Sequence, residues 1–138
     1  MHDNKYINLF VLGFLSSISQ IILLKEFLIS FYGNELSIGI ILSFWLFWVA
    51  LGSYSGNRIN ALLVSHEKTF KVLIFVFSLI NIITILLIKF SRFILNTPIG
   101  EYETILQLSL FSFFVLSINC FLIGILFSLG ATLVKKAD

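Results

Sequence analysis

The sequence predicts an all-α integral membrane protein, a bundle of four transmembrane helices with both termini on the same side. Four long apolar segments lead to this prediction, at about 6–32, 37–56, 70–90 and 105–134. A helix needs roughly 20 mostly apolar residues to cross a bilayer, and each segment has at least that many. Hydrophobic residues make up 59% of the 138 residues and charged residues only 12%, about half the usual share of a soluble domain.

The connections between these segments are too short to fold a soluble catalytic domain, so residues 1–138 are predicted to form a single transmembrane domain. Continuous apolar runs exclude a closed β-barrel, whose spanning strands alternate in hydrophobicity over about ten residues. The net charge of +2 is too small and too scattered to indicate nucleic acid as a partner. We expect the lipid bilayer and other membrane helices as partners, and no cofactor or metal.

The first segment carries polar residues that a lipid-facing helix should lack: Gln20, Lys25 and Glu26. It is too long for the apolar region of a secretion signal and has no small-x-small cleavage pattern, so it is interpreted as a retained helix. Lys25 can reach the headgroups with its long side chain. Glu26 is shorter, and we expect it to be protonated or to pair with a donor on another helix. An intramembrane charge costs on the order of a few kcal/mol, so the pair is a candidate site for assembly or substrate binding.

A very tight turn, "GNE", joins the first two segments. Gly33 is expected to take the left-handed conformation that ends a helix, and Asn34 to cap the next one. Glu35 then lies in the first turn, where the helix dipole favours a carboxylate. Glu35 is therefore expected to have a structural role first, and is retained as a candidate site residue second.

The second segment contains Trp45 and Trp48 on one helix face, far from the usual interfacial belt of aromatic residues. Their indole N–H groups need acceptors when they are buried. They are interpreted either as core packing or as a stacking platform for a substrate, with packing the preferred interpretation.

Small residues recur at a spacing of four in the second and fourth segments. Gly52 and Gly56 form one such pair, and Gly124 and Ser128 form the other. Pairs of this kind let helix backbones touch, which is how helices associate in lipid without a hydrophobic driving force. The pattern predicts close helix packing and carries no information on function.

Strong polar groups lie near the middle of three segments: Gln20, Asn81 and Asn119. An amide in hydrocarbon needs a partner, so we expect these side chains to face one another across the bundle. Each contact would contribute about 1 kcal/mol or less to stability. Hydrogen bonds that hold the helices together are a better interpretation than a substrate site.

The distribution of basic residues predicts the orientation. Basic residues in short loops favour the cytoplasmic side, and the bias here is six to two. Both termini are therefore expected in the cytoplasm, and the protein in the inner (cytoplasmic) membrane of the cell. The six lie on the side of the termini: Lys5, Arg58, Lys68, Lys71, Lys135 and Lys136; the two, on the opposite side, are Lys89 and Arg92.

The run "SQIILLKEFLISFYGNELSIGIILSFWLFWVALGSYSG" (19–56) resembles the start of the membrane domain of bacterial integral-membrane spermidine-synthase-like proteins. That pattern has a glutamine and then a basic residue in the first helix, here Gln20 and Lys25 with Glu26. It continues with a Gly-Asn-Glu-Leu turn, here 33–36, and an Ala-Leu-Gly-Ser near the end of the second helix, here 50–53. The segment "FLIGILFSLGATL" (121–133) is similar to a family segment that reads Gly-x-x-Phe-Pro, although Ser128 stands in the place of the proline.

The resemblance implies helices of the major-facilitator type, in a domain that is often fused to a soluble aminopropyltransferase. No nucleotide-binding or aminopropyltransferase motif occurs in this chain, so it implies a membrane module and not a competent synthase. We expect a non-catalytic multi-pass membrane module that assembles with further helices, in a homo-oligomer or with a separate chain, or with a soluble synthase. The alternative is a small transporter or channel subunit for a polyamine or another small solute. An enzyme that uses Glu26 in the membrane is a weaker third hypothesis.

Overall fold

A computed structural model describes residues 3–31, 33, 35–60, 66–96 and 104–135, and these residues form helices and short turns. Four of the helices are long and apolar enough to cross a membrane, as the sequence predicts. A single turn of helix, α4, lies between the third and the last of them. The helices are α1 (Asp3–Ser30), α2 (Glu35–Asn60), α3 (His66–Lys89), α4 (Ser91–Ile94) and α5 (Ile105–Lys135).

Three of the long helices extend at one end beyond the apolar segments that predict them. α1 begins at Asp3 instead of about residue 6, α2 continues past residue 56 to Asn60, and α3 begins at His66 instead of about residue 70. The length of an apolar run corresponds to the thickness of the hydrocarbon core. The helix itself can be longer, because its backbone hydrogen bonds continue into the polar flanking residues. α4 was not predicted, because a four-residue helix inside a loop has no periodic pattern.

α5 is the central helix of the bundle. Half of its most apolar window is buried inside the protein, compared with 17–22% for the other three spanning helices. It packs against α1, α2 and α3, and its contact with α2 is the most extensive in the molecule. The faces of α1, α2 and α3 that point away from α5 are therefore uncovered and largely apolar, as lipid or further helices require.

Contacts with α5 fix the direction of its neighbours. The Phe27 ring of α1 lies against Phe111, near the start of α5. Gly130, near the end of α5, lies beside Leu9, near the start of α1. α1 and α5 are therefore antiparallel, and the start of α1 and the end of α5 share one end of the bundle. We call this the terminal end, and the opposite end, which contains Gly33, the hairpin end.

The described glycines show a very close approach between the parallel helices α2 and α5. A Cβ atom built on Gly52 would collide with the carbonyl oxygen of Phe121, and one on Gly124 with that of Val49. A Cβ on Gly56 would lie 3.0 Å from the Cα of Ile125. The prediction that these small residues pack helices closely is confirmed.

The turn at the hairpin end differs in one respect from the prediction. Gly33 does not take the left-handed conformation, since its φ lies outside the positive range. Its N–H donates to the Leu28 carbonyl oxygen at 2.9 Å, which closes the end of α1. A Cβ there would collide with the Leu28 side chain and lie 3.2 Å from the Leu28 Cα. Glycine is thus favoured here for space and not for its φ. Asn34, the expected cap, lies outside the described residues, and Glu35 begins α2 as predicted.

Candidate functional site

An ion pair joins α1 and α3 at the hairpin end. The Lys89 Nζ lies 3.9 Å from Oε1 of Glu26, whose side chain is 19% exposed, compared with 57% for that of Lys89. The expected partner for Glu26 on another helix is therefore Lys89, the last residue of α3. Sequence reasoning counted this lysine among the loop cations, although its place at the end of an apolar run puts it at a depth that Glu26 can reach.

The parallel packing of α1 and α3 positions this pair. The Ser30 hydroxyl donates to the carbonyl oxygen of Ile88 at 3.2 Å, which joins the last turns of the two helices. Neighbouring residues on a helix point about 100° apart, so Glu26 faces α3 while Lys25 is exposed on the outside of α1. Only one of the two charges in the first segment is thus engaged within the bundle.

The three amides do not bind one another, which corrects the prediction. The Asn81 amide donates through Nδ2 to the Ser19 hydroxyl at 2.5 Å, and so binds the neighbour of Gln20 instead of Gln20 itself. The hydrogen bonds found among the described residues include none between any two of Gln20, Asn81 and Asn119. Ser19 is buried whereas Gln20 is half-buried, because the 100° step between them leaves only one facing the centre of the bundle.

Asn119 nevertheless lies at the depth of the Ser19–Asn81 bond. Ser19 precedes Phe27 by eight residues and Asn119 follows Phe111 by eight, so both lie about 12 Å from that ring contact. Asn119 is fully buried, and neither its Oδ1 nor its Nδ2 has a hydrogen-bond partner in the part of the chain that the structure describes. Together, Ser19, Asn81 and Asn119 form what we call the polar layer.

A small cavity of about 210 Å³ opens beside the polar layer, between α1 and α3. Its polar lining consists of Ser19, Ser78 and Asn81. Apolar residues complete it, namely Leu15, Ile18, Ile22, Phe77, Ile82 and Ile85. The hydrogen bond between Ser19 and Asn81 occupies its main polar groups, so the arrangement is that of a structural contact between two helices.

The two tryptophans of α2 are packed. Trp45 is buried in the core. The Trp48 indole N–H donates to the carbonyl oxygen of Phe113 on α5 at 3.0 Å, and the centroids of their rings are 5.0 Å apart. This anchoring supports the interpretation as packing. Trp48 also lines an apolar groove of about 440 Å³, together with residues of α3 and α5.

A larger groove, of about 750 Å³, lies between α2 and α5 at the terminal end. We call it the α2–α5 groove. Sequence reasoning missed it because the second helix was predicted to end at residue 56, which placed Asn57 and Arg58 in a loop. The signal was present in the small residues on both helices, since small side chains leave space beside a close crossing. Its lining residues are Ala50, Ser53, Tyr54, Asn57, Phe127, Ser128, Ala131, Thr132 and Lys135.

The predicted site residues are thus distributed over separate places and do not form one site. Lys25, Glu26 and Glu35 lie at the hairpin end, whereas the amides and tryptophans lie deeper in the bundle. In the described part of the chain, no three histidine, cysteine, aspartate or glutamate side chains come together as metal ligands. Comparisons with models of protein families, with curated proteins and with solved structures find no match to this chain.

Proposed function

We propose that this protein is a non-catalytic multi-pass membrane module that assembles with further transmembrane helices. One observation carries the proposal, namely two small-residue faces that the bundle itself does not use. A Cβ atom on Gly13 of α1 or on Gly39 of α2 would have no described atom within 4 Å apart from its chain neighbours and the backbone of its own helix turn. By contrast, one on Gly52 or on Gly124 would collide with a neighbouring backbone.

Each of these open glycines is followed by an exposed serine four residues later. The Ser17 hydroxyl donates to the carbonyl oxygen of Gly13 at 3.0 Å, and that of Ser43 to Gly39 at 2.7 Å. Glycine and serine offer lipid little surface to pack against, but they let a second helix approach closely. These glycine–serine pairs on α1 and α2 have the same spacing of four residues as the small-residue pairs at the contact between α2 and α5.

The resemblance to the membrane domain of spermidine-synthase-like proteins fits this proposal. In the structure, Gly33 shapes the helical hairpin and Gly52 the crossing with α5, and both belong to the resembling motifs. These roles are architectural, as a module that supports further helices or a separate soluble synthase requires. A polyamine transporter is less well supported, because the carboxylate best placed to bind a cation, Glu26, already faces Lys89.

Site-specific photo-crosslinking in native membranes tests the proposal. A benzophenone side chain is introduced at Ser17 or at Ser43, and at Val72 on the exposed face of α3 as the matched control. We expect protein adducts, with a second copy or with another membrane chain, at Ser17 and Ser43 and lipid adducts at Val72. Mass spectrometry of the adducts identifies the partner. Lipid adducts at all three positions would contradict the proposal.

A further inference from the structure

The α2–α5 groove has the size of a ligand site and opens at the terminal end of the bundle. Its volume of about 750 Å³ lies within the usual range for small-molecule sites. It forms because the glycines bring α2 and α5 into contact while the neighbouring lining residues, among them Ala50, Ser53 and Ala131, have small side chains.

The described charged side chains around the groove are positive. Lys135, the last residue of α5, lines it directly. The Arg58 guanidinium lies over the ring of Tyr54, 4.8 Å from its centroid, and donates to the Tyr54 hydroxyl at 2.5 Å. Glu26 and Glu35, the carboxylates whose side chains the structure describes, both lie at the opposite, hairpin end. An anion in the groove would therefore meet Lys135 in the lining and Arg58 beside the lining residue Tyr54, and no nearby carboxylate of the described side chains.

The lining also changes in polarity with depth. Asn57 and Lys135 lie in the last turns of their helices, where the membrane surface is expected. Ala50 and Phe127 lie about two turns deeper, towards the hydrocarbon, at the depth of a single polar residue, Ser128. A free anion would make no use of this deeper apolar part, whereas a phospholipid has a charged headgroup above two acyl chains.

We propose that the α2–α5 groove binds an anionic phospholipid, with the phosphate near Lys135, Arg58 and Asn57 and an acyl chain along Ala50 and Phe127. Basic pockets between transmembrane helices recognise lipid headgroups in this way. The proposal is independent of the assembly function, because it concerns the terminal end and not the open glycine faces.

Native mass spectrometry of the purified chain with phosphatidylglycerol, and with phosphatidylcholine as the zwitterionic comparison, tests the proposal. We expect tighter binding of phosphatidylglycerol, and a loss of about fivefold in affinity for Lys135→Gln and again for Arg58→Gln. Lys68→Gln is the matched control, because Lys68 is exposed at the same end but belongs to α3, whereas the groove lies between α2 and α5. Equal losses for Lys68→Gln and Lys135→Gln would show general surface attraction and overturn the site.

Lys135 and Arg58 also interact favourably with the partial negative charge at the C-termini of their own helices. Because replacing them affects the helix ends as well as the groove, a variant that keeps both cations is needed. Ala131→Phe fills the groove from an exposed position and leaves both charges in place. We expect it to abolish the preference for phosphatidylglycerol while the circular dichroism spectrum stays helical. Unchanged binding in Ala131→Phe, or equal competition by inorganic phosphate, would overturn the proposal.

Discussion

At the scale of single residues, the charged and amide side chains of the spanning helices have different environments and partners. Glu26 pairs with Lys89 on a neighbouring helix, whereas Lys25 stays on the outside of α1. Asn81 bonds to Ser19, whereas Asn119 is buried without a partner among the described residues. The polar groups that sequence reasoning took together thus have separate environments, and each has its own test.

Replacing Glu26 tests whether its pairing matters for assembly. Because Lys89 is more than half exposed, we expect Glu26→Gln to preserve insertion and to lower the free energy of unfolding by at most about 1 kcal/mol. Glu26→Leu should impair assembly or transport more than Glu26→Gln, because it also removes the hydrogen-bonding group. The measurement is membrane insertion together with the yield of cross-linked complex.

A double-mutant cycle with Lys89→Gln provides the control for that prediction. If the pair acts as a unit, Lys89→Gln should have the same effect as Glu26→Gln, and the double variant should add little. Intact assembly in Glu26→Leu would instead show that the pair is tolerated near the membrane interface without a role.

Asn119→Leu is expected to stabilise the protein. A buried polar group without a hydrogen bond costs about 1–3 kcal/mol, and leucine fills a similar volume without that cost. We therefore expect the midpoint of unfolding in a denaturing detergent to rise in Asn119→Leu. Asn81→Leu is the matched control and should destabilise, because it leaves the buried Ser19 hydroxyl without its partner. A loss of stability in Asn119→Leu would show that the amide has a partner in the folded protein.

At the scale of the helices, glycines have opposite roles on the inside and outside of the bundle. Gly124 lies where a Cβ atom would be 2.6 Å from the backbone nitrogen of Ser53, so α2 and α5 touch only without a side chain there. Gly39 on α2 has open space around it. Glycine thus allows the close contact between α2 and α5 at one place and leaves an open face on α2 at another.

Paired alanine substitutions test this distinction. Gly124→Ala should separate α2 from α5 and destabilise by about 1–3 kcal/mol, because rigid backbone and not a flexible side chain stands in the way. Gly39→Ala should leave the free energy of unfolding unchanged or slightly raised, because alanine favours helix over glycine by about 1 kcal/mol. Unfolding in a denaturing detergent measures both. Equal destabilisation by the two substitutions would contradict the packing described for α2 and α5.

At the scale of the whole molecule, α5 holds a bundle whose other helices are mostly uncovered. The antiparallel packing of α1 and α5 puts the start of one and the end of the other at the same end. Arg58, Lys68 and Lys135 belong to this end, whereas Lys89 belongs to the other. If the terminal end is cytoplasmic, the uncovered faces and the α2–α5 groove are open to membrane partners and inner-leaflet lipid.

Reporter fusions test the orientation of the whole molecule. The excess of basic residues at the terminal end predicts that a fluorescent protein fused after residue 138 fluoresces in the cytoplasm. Alkaline phosphatase fused at the same place should be inactive, because it needs an oxidising compartment. The opposite pattern would place the terminal end outside and contradict the orientation.

The sequence by itself determined the four spanning helices, the position of the hairpin turn and the small residues of the α2–α5 contact. These depend on hydrophobicity and side-chain size along one segment, and such local properties can be read from the chain. The need of Glu26 for a partner was also predictable, because a short carboxylate in a membrane has few alternatives.

Only the tertiary structure decided which groups meet. Lys89 as the partner of Glu26, Ser19 in place of Gln20 beside Asn81, and the isolation of Asn119 all depend on the rotation of each helix about its axis. A rotation of 100° exchanges one residue for its neighbour without changing the apolar pattern of a helix that is hydrophobic on every side. Packing against the other helices fixes that rotation, and with it the sites that this bundle can form.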